Sequence, residues 1–69
     1  MSHQTNSHER LTSAERETMT MLSMGFDAHG IAETLGLSPK TVQKRLLLIQ
    51  EKLYVDSIEA ALAKFKEAA

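Results

Sequence analysis

The chain has no cysteine and no tryptophan, a single proline, and only one tyrosine and two phenylalanines among its 69 residues. Without cysteine there is no disulfide framework and no thiolate zinc site. A chain of this length makes one small domain whose core is marginal by itself, so association is the expected support. No Gly-rich phosphate loop is present, nor any Ser, His and Asp grouping that helices could assemble, and the three histidines are not spaced as ligands. The expectation is therefore no enzyme, no metal and no cofactor. No apolar run approaches bilayer length, and Met1-Ser2-His3-Gln4 does not open a signal peptide. Neither a membrane span nor export is expected, and a cytoplasmic home is. Strand patterning, internal repeats and low-complexity tracts are also missing. With 42% hydrophobic and 25% charged residues, what remains is a soluble globular chain built from helices.

Its net charge is only -1, but the charge is unevenly spread. Residues 38–53 carry Lys40, Lys44, Arg45 and Lys52 against Glu51, a balance of +3, whereas residues 1–37 balance to -3 and residues 54–69 to -1. The positive stretch is also the best-formed helix. Ser38 is a good N-cap, and Pro39 follows at the first helical position, where a missing N–H costs nothing. Val42, Leu46, Ile49 and Leu53 recur at helical spacing and make one apolar stripe. Lys40, Gln43, Lys44, Leu47 and Glu51 lie on the other side, free to meet a partner. Upstream, Ile31-Ala32-Glu33-Thr34-Leu35 is a shorter helical pattern joined through Gly36. Two helices with a glycine-containing turn form a helix-turn-helix signature.

The remaining elements follow in order. Residues 1–10 read as a disordered lead-in, and His3 and His8 within it lack a third ligand. Thr12 and Glu15 form a capping box that opens a first helix, and Gly25 ends it. Met19, Met21, Leu22 and Met24 should give that helix an adaptable apolar surface. Phe26 is expected in the core. Asp27 caps a second helix, Ala28 to Leu35. Gly30 inside it costs about 1 kcal/mol relative to alanine, and close approach by another backbone is one reason to keep it. His29 reads equally as a phosphate contact or as plain surface. After a Tyr54-Val55 link, Asp56 and Glu59 are expected to form a second capping box and open a last helix from Ser57 to about Glu67. There Ile58, Ala61, Leu62 and Phe65 form an amphipathic stripe, while Ala60 and Ala63 leave a small-residue side on which two copies could pair.

The run Leu11-Thr12, Glu15-Arg16-Glu17, Leu22, Gly25, Ile31-Ala32, Leu35-Gly36-Leu37-Ser38, Thr41-Val42, Ile49, Lys52-Leu53 and Val55 resembles the LuxR-type (GerE-like) DNA-binding domain, without a gap, from Leu11 to about Leu62. The resemblance implies an all-α, four-helix domain over residues 11–69, with its second and third helices as the helix-turn-helix. The fourth helix serves as the dimer contact, which assigns Ala60, Ala61, Lys64 and Ala68 to that interface. It implies that Gln43, Lys44 and Leu47 reach base edges in the major groove, and that Ala28, His29, Lys40, Thr41 and Arg45 approach the DNA backbone. Relatives mostly carry this domain behind a receiver or ligand-binding domain, so the chain is expected to be a stand-alone member regulated by its abundance.

Several positions depart from the family pattern. The family commonly has Lys or Arg at Gln43, His at Arg45, Asn or Lys near Ala28, and a basic residue at Ile58. Each lost phosphate contact lowers salt-dependent affinity. Leu47 can pack on a thymine methyl group or offer a protein partner an apolar patch. Two readings follow. One is a transcriptional regulator that binds double-stranded DNA as a homodimer, with the helix over 38–53 in the major groove. The other is an antagonist on the same fold that grips another regulator through Leu47 and Leu48.

Overall fold

Each helix begins where a side chain takes up an otherwise orphaned amide. The computed structural model describes residues 11–68, and Ala68 only as to its backbone. Helix α1 spans Ser13–Ser23, α2 Ala28–Leu35, α3 Pro39–Leu53 and α4 Ile58–Ala68. The expected tail over residues 1–10, with His3 and His8, lies outside the described residues. Thr12 and Glu15 close their capping box: the Glu15 amide donates to Thr12 Oγ1 at 3.1 Å, and the Thr12 amide to Glu15 Oε1 at 2.9 Å. Asp27 Oδ1 accepts from the Gly30 amide at 2.8 Å, and Ser38 Oγ from the Thr41 amide at 3.1 Å. The fourth start differs from expectation. Ser57 Oγ accepts from the Ala60 amide at 3.0 Å, so Ser57, not Asp56, is the N-cap. The residue three past Ser57 is alanine and has no side-chain acceptor to complete a box.

Three of the helices end on one left-handed turn. At the end of α1 the Phe26 amide donates to the Met21 carbonyl at 3.1 Å across Gly25, whose φ is 101°. At the end of α2 the Leu37 amide donates to Ala32 at 2.9 Å across Gly36, with φ 71°. At the end of α3 the Val55 amide donates to Gln50 at 3.0 Å across Tyr54, with φ 59°. Glycine takes that conformation without penalty, whereas tyrosine adopts it against its Cβ.

Helix α1 packs on α2 and α4, and α3 packs on the same two. The core between them holds Leu11, Met19, Met21, Ile31, Ala32, Val42, Leu46, Ile49, Leu53 and Ala61, with Leu22, Leu37, Val55, Ile58, Leu62 and Phe65 against its edge. All four stripe residues of α3 are buried, as their spacing requires. Two expectations fail at the α1–α2 connection. Met24 is 69% exposed, because the helix has already ended at Ser23 and the stripe does not extend into the turn. Phe26 is 37% exposed and lies over the first turn of α2. A Cβ at Gly30 would stand 3.2 Å from its Cδ2 atom, so this glycine makes room for an aromatic ring rather than for another backbone.

Candidate nucleic-acid interface

The helix-turn-helix presents one long free surface, the side of α3 opposite its apolar stripe. Lys40, Thr41, Gln43, Lys44, Leu47, Leu48 and Glu51 are all exposed there. The buried stripe sets the roll of the helix, because four branched side chains locked into the core leave the helix no freedom to turn. Ser38 and Pro39 fix where it starts, and Gly36 lets the chain reverse from α2 within three residues. The Thr41 hydroxyl stands 2.9 Å from that of Ser38, so the first turn is braced from both sides.

The four cations of α3 do not share one task. Lys40 and Lys44 stand on the outward arc. Lys52 instead reaches back to α1, where its Nζ donates to both carboxylate oxygens of Glu15 at 2.8 and 3.0 Å. Arg45 is half-buried and leans the same way, with Nη1 3.4 Å from Thr18 Oγ1. Thr18 is fully buried and donates its own hydroxyl proton to the Ala14 carbonyl at 2.9 Å. The positive balance of α3 therefore overstates what faces outward, which is two lysines against Glu51. Burial by itself would raise the Glu15 carboxyl. The bonds from Lys52 and from the Thr12 amide, with the lysine's charge, outweigh it and hold the group below its ordinary value.

Ordinary periodicity carried a signal for this pair. Glu15 falls four residues after Leu11 and four before Met19, on the core-facing side of α1, and a carboxylate there needs a cation close by. Lys52 lies one turn past Leu48 and borders Ile49 and Leu53 on α3. Reading Glu15 only as half of a capping box hid its second partner.

The other expected contact residues divide. His29 is exposed at the first turn of α2. Ala28 is half-buried and packs against the core. Asp27 already occupies the Gly30 amide and sets a carboxylate at that helix end, which opposes an approaching phosphate. On α4, Ala61 is wholly enclosed within the chain; it is a core residue and not part of a dimer face. Lys64 is half-buried, and its Nζ donates to the Leu53 carbonyl at 2.8 Å, closing the C-terminus of α3. Ala60 is half-buried and Ala63 exposed, while the Ala68 side chain lies outside the described residues. No helix among the described residues is long and apolar enough to cross a membrane.

A family model described as bacterial regulatory proteins, luxR family (GerE), matches residues 9–65. No solved structure matches the chain.

Proposed function

The chain belongs to the LuxR family of bacterial regulatory proteins, and from that premise we propose that it is a sequence-specific DNA-binding transcriptional regulator that acts as a dimer in the cytoplasm. Residues 11–69 are the functional domain. Helix α3 enters the major groove, Gln43 pairs with an adenine, and Lys44 meets a guanine or a phosphate. Lys40, Thr41 and His29 hold the duplex backbone. The observation that carries this reading is the exposure of Lys40, Gln43 and Lys44 along one face of a helix whose other face is immobilised in the core. Two copies pair through α4, on the side that bears Ala60 and Ala63, and the operator is then an inverted repeat.

A second reading has its own support. Arg45 and Lys52 turn inward, and Leu47 and Leu48 stand in solvent, as an antagonist that grips another regulator would need. A salt titration against duplex DNA separates the two. A regulator shows affinity that falls with salt, and Lys44→Ala lowers binding and flattens the salt slope by about one unit for a lost phosphate contact. No binding even at low salt selects the antagonist.

A further inference from the structure

Resting on the DNA reading of α3, we infer that Leu47 and Leu48 read thymine 5-methyl groups, so that the preferred half-site carries thymines beneath the middle of this helix. Leu47 is 59% exposed and Leu48 51%, on the same free face as Lys40, Gln43 and Lys44. Consecutive helical residues point about 100° apart. The two leucines thus straddle the line from Lys44 to Glu51, Leu47 toward the side of Gln43 and Leu48 toward that of Thr41. An α-helix laid in the major groove with the Lys44–Glu51 line toward its floor sets one leucine on each side of that line, within reach of base edges.

The charge distribution on α3 leaves base readout to Gln43, Lys44 and the two leucines. Lys52 is bound to Glu15 and Arg45 leans on Thr18, so the outward face has Lys40 and Lys44 against Glu51. Phosphate attraction from two cations is small, and discrimination has to come from the bases. The thymine methyl is the one apolar group that a base pair offers in that groove. A leucine side chain set against the amino or carbonyl groups of a G·C pair strips water from them and returns no hydrogen bond. Two leucines therefore select thymine and penalise its alternatives.

The test uses the full chain. Duplexes are selected from a random pool at low salt. Binding of the selected duplex is then compared by fluorescence anisotropy with copies in which deoxyuridine replaces thymine, which deletes only the 5-methyl groups. Each contacted methyl removed should weaken binding about fourfold. The double variant Leu47→Ala, Leu48→Ala should bind the two duplexes nearly equally, with its thermal unfolding unchanged. Equal binding of both duplexes by the unsubstituted chain overturns the inference. So does a selected site with no thymine under α3, or a deoxyuridine penalty that persists in the double variant. Sedimentation without DNA adds a further arm: an oligomer that the double substitution dissolves assigns the leucines to a second copy and overturns the inference. Failure to bind any duplex at low salt refutes the DNA reading itself, and the inference falls with it.

Discussion

The inner and outer faces of α3 are made of similar residue types and do opposite things. Inside, Val42, Leu46, Ile49 and Leu53 are buried, flanked by Arg45 and Lys52 that lean on α1. Outside, Leu47 and Leu48 stand in solvent beside Lys40 and Lys44. Leucine and lysine identity alone does not say which residues hold the fold and which are left for a partner; their phase on the helix does. The largest difference is expected between Ile49→Ala and Leu48→Ala. Removing the fully enclosed Ile49 side chain should cost about 2–5 kcal/mol, enough to leave a domain of this size largely unfolded. Leu48→Ala should shift stability by no more than about 0.5 kcal/mol. Urea unfolding of the two variants checks both, and comparable losses would mean that the outer leucine is packed.

The cations give the next contrast. Lys52→Met leaves the buried Glu15 carboxylate without its ion partner and should cost about 1.5–3 kcal/mol. The low end of that range applies, because the Lys52 side chain is 34% exposed and water takes part of the load. Lys44→Met should leave stability within about 0.5 kcal/mol of the starting value while weakening DNA binding. The pair also ties stability to pH. The Glu15 carboxyl is held below its ordinary 4.5 in the folded chain. Its contribution is in full force above the unfolded value and is lost as pH falls through the folded one. Denaturation midpoints should therefore drop below about pH 4.5, and Glu15→Gln should make that decline shallower. An unchanged acid limb in Glu15→Gln would remove the pair from the account.

Phase along a helix was legible in the sequence, and so were the caps that lie one turn from what they cap. The spacing of Val42, Leu46, Ile49 and Leu53 sufficed to orient α3, and Thr12, Asp27 and Ser38 marked three helix starts within a residue. At the fourth start the pattern pointed to Asp56, and the cap is Ser57, one residue on. Either geometry satisfies local chemistry, and packing of Ile58, Ala61 and Leu62 selects the register. The site was less legible for a related reason. Whether a cation faces out depends on what stands across from it in space, and Glu15 and Thr18 are far from Lys52 and Arg45 in the chain. Phe26 shows the same limit: its aromatic ring implied a core place, but the missing side chain of Gly30 gave it a seat on the surface of α2.

At the end of α3 an outer-surface residue carries a backbone cost that the inner stripe does not. Tyr54 is 71% exposed and adopts φ 59° and ψ 44°, the turn that Gly25 and Gly36 supply for α1 and α2. For an ordinary side chain this conformation costs about 1–2 kcal/mol. Replacing it with glycine relieves that strain but adds freedom to the unfolded chain, which returns about 0.4–1 kcal/mol of the gain. Tyr54→Gly should therefore stabilise the domain by about 0.5–1 kcal/mol. Gly25→Ala and Gly36→Ala should move it the other way by a similar or larger amount. An added Cβ meets nothing within 4 Å at either glycine, so their loss is purely conformational. Denaturant midpoints for the three variants decide the matter: a loss in Tyr54→Gly would mean that the tyrosine ring returns more in contacts than its backbone gives up.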